Sequence, residues 1–153
     1  MGHFATGVTV ITTCDENGNP FGLTSNAVRS VSLVPPLILI CVDKTSHTWR
    51  MLEASGAFTL NILGAHQEEV SRAFAKKGEP EIGSLRGFPF VRGRTGTPRL
   101  EDCRAFVECK VAEVLDGGDH SIFLGEVVDE GIVTDGPPLI FYRGRYATIE
   151  EPA

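Results

Sequence analysis

Thr24-Ser25-Asn26-Ala27-Val28-Arg29-Ser30-Val31-Ser32-Leu33-Val34-Pro35-Pro36-Leu37 lies between two apolar strand-like runs and is far more polar than a simple connection requires. Thr24, Ser25, Asn26, Ser30 and Ser32 can each both donate and accept hydrogen bonds. Buried without partners, such groups cost about 1–3 kcal/mol each, so the run lines either a solvated surface or a ligand. A serine-rich surface loop is the alternative that this segment alone leaves open.

Short β-rich runs recur on both sides, separated by Gly, Pro, Asn and Asp: Gly7 to Thr13, Phe21 to Ser25, Leu37 to Val42, Phe58 to Leu63, Ala105 to Leu115, Ser121 to Val128 and Leu139 to Tyr142. Arg145 to Ile149 is a further candidate. Asp15-Glu16-Asn17-Gly18-Asn19-Pro20 carries an Asn-Gly pair between apolar runs, so Thr9 to Thr13 and Phe21 to Ser25 are expected to pair antiparallel. Two helices interrupt the strands. One starts at Ser46 as N-cap, carries Trp49, Met51 and Leu52, and stops at Gly56. The other covers about Gln67 to Lys77, with Val70, Ala73 and Phe74 on one face and a Lys76-Lys77-Gly78 ending that suits the helix dipole and C-cap. Mainly antiparallel strands with short helices predict a single domain, 1–153, built as a barrel, because closure removes exposed sheet edges.

From Gly78 to Arg99 the pattern gives way to glycine, proline and charge. A structureless stretch of about 20 residues is uncommon in a compact domain and is usually functional or disordered. Phe88-Pro89-Phe90 argues against disorder and for a flap that packs on a ligand or a second subunit.

Composition narrows the partners. The chain has 153 residues, 42% of them hydrophobic, which suits an ordinary globular core. Its longest apolar run, Leu37 to Val42, is far short of the roughly 20 residues that span a bilayer. Met1-Gly2-His3-Phe4-Ala5-Thr6 lacks a signal-peptide pattern, so a cytoplasmic protein with no membrane partner is expected. A net charge of −6 repels a phosphate backbone, and no nucleic-acid partner is expected. Cys14, Cys41, Cys103 and Cys109 form no CxxC pair and read as buried thiols, and the four histidines lack metal-site spacing, so no metal is expected.

Three segments distant in sequence can converge at one end of such a barrel. The first is the opening run, whose amides and hydroxyls suit the polar edge of a planar heterocycle and a ribityl chain or phosphate. The second is Cys41-Val42-Asp43-Lys44-Thr45-Ser46-His47-Thr48, where a strand ends and a helix begins with a cation and hydroxyls; helix N-termini bind anions, although Ser46 can equally be only a cap. The third is Gly117-Gly118-Asp119-His120, a glycine turn that delivers His120 to a strand start, either as a surface residue or as an imidazole beside a substrate.

Phe4-Ala5-Thr6-Gly7-Val8-Thr9-Val10-Ile11-Thr12-Thr13, Thr24-Ser25-Asn26-Ala27, Ser30-Val31-Ser32-Leu33 with Pro35-Pro36-Leu37, Gly118-Asp119-His120 with Ile122-Phe123-Gly125-Glu126-Val127, and Pro138-Leu139-Ile140-Phe141-Tyr142-Arg143-Gly144-Arg145-Tyr146 together resemble the flavin reductase family, which supplies reduced flavin to two-component monooxygenases acting on phenols and 4-hydroxyphenylacetate. The resemblance covers nearly the whole chain in the family's order. It implies an FMN-binding, Greek-key antiparallel split barrel, a homodimer, and oxidation of NADH or NADPH with reduction of FMN or FAD. It puts Thr24, Ser25, Asn26 and Ala27 on the isoalloxazine and ribityl groups, with Ser30 and Val31 close behind, and Cys41, Lys44, Ser46 and Thr48 around the flavin phosphate and chain. His120, the candidate catalytic residue, and Tyr142, Arg143 and Tyr146 match positions associated with the nicotinamide nucleotide; strand packing is the other reading of the two tyrosines. Val28, Arg29 and Val34 depart from the family pattern, and the chain starts at the Met1-Gly2-His3-Phe4 motif where relatives carry a preceding helix.

Hydride transfer between a nicotinamide and a flavin needs no protein nucleophile, which fits a constellation rich in hydroxyls and poor in carboxylates. A flavin-binding electron carrier, a reductase of a corrinoid or ferric acceptor, and an oligonucleotide-binding barrel are the competing readings; the acidic charge disfavours the last.

Overall fold

Asn17-Gly18 turns the chain as its residues require. Gly18 takes φ 80°, a value that only glycine adopts without strain, and the Asp15 carboxylate accepts from the Asn17 and Asn19 amides at 2.9 and 2.8 Å. In this computed structural model, which describes residues 1–152, the turn joins two paired strands with Thr9 opposite Ser25 and Thr13 opposite Phe21, the expected hairpin. In chain order the strands are β1 (Thr6–Gly7), β2 (Thr9–Cys14), β3 (Pro20–Ser25), β4 (Val28–Leu33), β5 (Pro36–Asp43), β6 (Ala57–Ile62), β7 (Phe90–Arg92), β8 (Pro98–Leu100), β9 (Ala105–Gly117), β10 (His120–Ile132), β11 (Ile140–Tyr142) and β12 (Arg145–Ala147). Two helices, α1 (His47–Ser55) and α2 (Glu68–Ala75), complete the set.

Seven strands form one antiparallel sheet in the order β3-β2-β6-β9-β10-β5-β4. Its two edges, β3 and β4, are consecutive in sequence and joined only by Asn26 and Ala27. Two linking residues let Ser25 and Val28 lie at most about 10 Å apart, so the edges meet at that corner although no ladder joins them. The barrel is therefore split rather than closed, and the opening run sits at the split. The run is also more regular than a loop: Val28 to Leu33 is a strand on β5, tolerating Arg29, Ser30 and Ser32 because an edge strand leaves part of its surface to water.

The long ribbon of β9 and β10 turns at Gly118-Asp119, with Gly118 at φ 80°, and places His120 opposite both Gly117 on β9 and Asp43 on β5. β2 and β6 are buried on both faces and separate two apolar clusters. Ile11, Ile40, Val42, Leu52, Phe58 and Phe123 belong to the one that carries α1; Val10, Leu63, Phe74, Leu85 and Leu100 belong to the other. Polar residues on these central strands are paired, as burial demands: the Asn61 side chain donates to the Val10 carbonyl at 2.9 Å and accepts from the Leu100 amide at 2.9 Å.

The flap from Gly78 to Arg99 packs on its own chain. Phe88 lies 5.8 Å from Phe74 of α2, Leu85 is buried, and β7 and β8 pair as a hairpin. No helix of the described residues is long and apolar enough to cross a membrane.

Candidate active site

The α1 N-terminus is built by its sequence. Ser46 takes an extended conformation, its hydroxyl accepts from the Trp49 amide at 3.1 Å, and Gly56 closes the helix in the left-handed region. Just before it the Asp43 carboxylate accepts from the Thr45 amide at 2.8 Å and the Thr45 hydroxyl at 2.7 Å. These bonds, first the one from the Thr45 amide, hold the Asp43 carboxyl below its ordinary value. A depressed carboxyl contributes stability above its unfolded titration range and loses it as pH falls through the folded value, so this turn is intact at neutral pH.

β3, the β5–α1 turn, the end of α2 and the flap enclose a cleft of about 420 Å³. Thr24 lines it from β3, Ser46, His47 and Thr48 from the start of α1, and Lys76, Lys77 and Arg86 from the far side. Thr48 is a buried wall residue. The first amides of a helix lack intrahelical partners, and the helix start lines this space; the Ser46 and Thr45 hydroxyls already donate to Asp43 at 2.8 and 2.7 Å, so the amides, the Thr48 hydroxyl and the cations are the donors that suit phosphate groups.

Of the residues singled out in the sequence, Thr24, Ser46 and Thr48 share this cleft. The Thr24 hydroxyl donates to the Ser71 carbonyl of α2 at 2.6 Å, which leaves its oxygen free only to accept. Ser25 fixes the corner by accepting from the Ala27 amide at 3.1 Å, and the Ala27 carbonyl accepts from the Cys41 amide at 3.0 Å; Asn26 is exposed at the tip. Ser30 and Val31 lie farther along the exposed edge strand, with a register irregularity between Ser30 and Ser32. Cys41 is half-buried opposite Ile122.

Lys44 turns away from the cleft. Its ammonium reaches the Asp116 carboxylate at 2.5 Å and its amide donates to the Asp119 carbonyl at 3.0 Å, so it staples α1's approach to the β9–β10 turn. His120, at that turn, has Nδ1 2.7 Å from Asp119 Oδ1. A carboxylate only accepts, so Nδ1 carries the proton and Nε2 is left for a ligand. The C-terminal segment divides. Tyr142 stacks edge-on against His3 at 6.4 Å, and the Arg143 amide donates to Gly2 at 2.8 Å, both away from the cleft. Tyr146 shares a 2.7 Å hydrogen bond with the Ser71 hydroxyl beneath the Arg72 guanidinium, and through Ser71 it touches the element that holds Thr24.

Burial raises the Cys103 thiol to about 11 and the Cys109 thiol to about 12, so both are inert core thiols, whereas Cys14 and Cys41 are only half-buried. No group of metal-ligating side chains occurs among the described residues. Lys76, Lys77 and Arg86 are the cleft residues that sequence reasoning missed. The Lys76-Lys77 pair was visible as a helix ending; its place in a cleft depends on how α2 packs on β3.

The opening corner of a split antiparallel sheet thus adjoins a phosphate-suited cleft. The flavin reductase like domain matches residues 1–150. The reductase subunit HsaB of a flavin-dependent monooxygenase from Mycobacterium tuberculosis is 40% identical over 152 residues, covering 98% of this chain and 79% of that protein. The flavin reductase (NADH) of Kitasatospora aureofaciens is 40% identical over 149 residues, covering 96% and 77%. Among solved structures, the NADH:FAD oxidoreductase SgcE6 of Streptomyces globisporus C-1027, in complex with NAD and FAD fragments, superposes with a TM-score of 0.90 at 36% identity, covering 99% of this chain and 90% of that one. The chain belongs to the flavin reductase family.

Proposed function

We infer that the protein is an NAD(P)H:flavin oxidoreductase that hands reduced flavin to a partner monooxygenase. The cleft carries the reading. Its helix N-terminus, capped by Ser46, and the Thr48 hydroxyl fit the phosphate end of a flavin, and the corner that runs on from Thr24 to Ala27 fits the ring. A bound flavin supplies the hydride-accepting ring, the chemistry that no side chain here possesses.

The chain's own residues bind and orient. α1's N-terminal amides hold the phosphate and Thr48 walls its pocket. Ser25, by bonding the Ala27 amide, and Cys41, by bonding the Ala27 carbonyl, fix the corner that faces the ring. Asp119 keeps the His120 proton on Nδ1, so that Nε2 can accept from the carboxamide of a nicotinamide and set its angle. Ser30 and Val31 extend the ring-side edge. Leu39, Cys41, Leu115, Ile122 and Leu124 share the outer face of the sheet and stay partly exposed in one chain, which supports a homodimer through that face. Dependence on NAD(P)H accords with a cytoplasmic setting.

Steady-state NADH and NADPH oxidation with excess FMN or FAD tests the reading: turnover is expected only when nucleotide and flavin are both present. A tightly retained yellow cofactor with negligible turnover would instead identify a flavin electron carrier. His120→Ala is expected to raise KM for the nicotinamide nucleotide by about tenfold, the size of one lost hydrogen bond, with flavin affinity unchanged. An unaltered KM removes His120 from the nucleotide site.

A further inference from the structure

We propose that Lys76, Lys77 and Arg86 form a subsite for the second phosphate of a flavin dinucleotide, which makes FAD rather than FMN the preferred flavin. The proposal rests on the flavin reading of the cleft and adds to it the residues that distinguish a pyrophosphate from a single phosphate.

Four observations converge. First, the chain carries a net charge of −6, yet three of its fourteen Lys and Arg residues line one cleft of about 420 Å³. Second, the charge balance of that lining is positive. Asp43 is its one carboxylate, and both carboxylate bonds described above run to Thr45 through the same oxygen, Oδ1. Third, none of the three cations is ion-paired among the described residues; Arg86 reaches only the Lys76 carbonyl, at 3.4 Å, which brings the two sides of the rim together. Lys44, Arg72 and Arg94, by contrast, are each paired with a carboxylate, Asp116, Glu68 and Asp129. Fourth, Arg86 sits at φ 54°, one of two non-glycine residues of the described chain at positive φ. Such a backbone costs roughly 1 kcal/mol for an ordinary residue, and a strained, unpaired arginine on a cleft wall is the pattern of a ligand contact.

Two anion sites of different construction thus share one cleft. The α1 N-terminus offers its first amides and the Thr48 hydroxyl on one side and suits the phosphate attached to the ribityl chain. The α2 terminus and flap offer cationic side chains on the other, and these suit the adjoining phosphate of a dinucleotide. A mononucleotide fills the first and leaves the second to water. The nicotinamide dinucleotide also contains a pyrophosphate, but continuity with Thr24 and the α1 N-terminus assigns the rim to the flavin.

Titrating FAD, FMN and riboflavin into the full-length chain at low and at physiological salt tests the assignment, alongside the variant Lys76→Ala/Lys77→Ala/Arg86→Ala. The intact chain is expected to bind FAD about tenfold tighter than FMN, the sum that three exposed ion pairs support, with the advantage shrinking as salt rises. The variant is expected to bind FAD no better than FMN while FMN affinity moves less than about twofold, which also shows that the variant is folded. Equal affinity for FAD and FMN in the intact chain overturns the subsite and leaves the flavin reading standing. So does a variant that raises KM for NADH with FAD affinity unchanged, which gives the cations to the other dinucleotide. Binding of none of the three flavins overturns the flavin reading itself.

Discussion

Glu108→Ala is expected to lower stability by about 2–4 kcal/mol, seen as a fall in the urea midpoint with little change in slope. Glu108 is 1% exposed, and its carboxylate is the hub of the 93–97 turn. It accepts from the Arg94 amide at 2.8 Å, the Thr95 amide at 3.3 Å and the Thr95 hydroxyl at 3.2 Å. The Thr97 hydroxyl adds a longer contact at 3.4 Å. Deleting it strands several part-buried donors of the turn. Gly93→Ala should act in the same direction, because a Cβ there overlaps the Glu108 carboxylate. Since that hairpin ends the segment whose Leu85 and Arg86 wall the cleft, flavin affinity should weaken along with stability. A change below about 1 kcal/mol for Glu108→Ala would mean that the turn holds without its hub.

The second large effect separates binding from folding. His47 is the first residue of α1 and lines the cleft. His47→Glu puts a carboxylate at the positive end of a helix dipole, a substitution neutral to slightly favourable for the helix, by about 0.3–1 kcal/mol at low salt. The same carboxylate occupies the space assigned to a phosphate dianion. At an effective dielectric near 20 two unit charges about 6 Å apart repel by about 3 kcal/mol and a dianion by about twice that, so flavin affinity is expected to fall at least about hundredfold at low salt, an effect that salt partly relieves. His47→Gln, uncharged, should lose far less. An unchanged thermal midpoint with lost flavin binding is the expected pair of results for His47→Glu; retained flavin affinity at low salt would place the phosphate elsewhere.

Much of this architecture is local and therefore legible in the sequence. Asn17-Gly18 specifies its hairpin, Ser46 and Gly56 bracket α1, and Gly118-Asp119 sets the turn before His120, because each depends on backbone geometry that few residues provide. The edge strand β4 escaped because its alternation is masked by polar residues that only an unpaired edge tolerates. The sheet stays open between β3 and β4, as the resemblance to a split barrel implies, and that seam coincides with Asn26-Ala27. The candidate site was legible on two walls, Thr24 and Ser46 to Thr48, which adjoin recognisable turns. Its third wall was not: nothing near Lys76, Lys77 or Arg86 in sequence says that α2 will lie across β3 and the flap will fold back on Phe74. For the same reason Lys44 was read toward the cleft. Asp116, seventy-two residues away, decides its direction.

The central claim is that the flavin seats its phosphate on the α1 N-terminus and its ring along the Thr24–Ala27 corner. A crystal structure of the full-length chain with bound flavin tests it most directly. The phosphate is predicted against the amides of His47 and Thr48, with the ring edge facing Ser25 to Ala27; a flavin bound elsewhere, with the cleft filled only by water, would contradict the account.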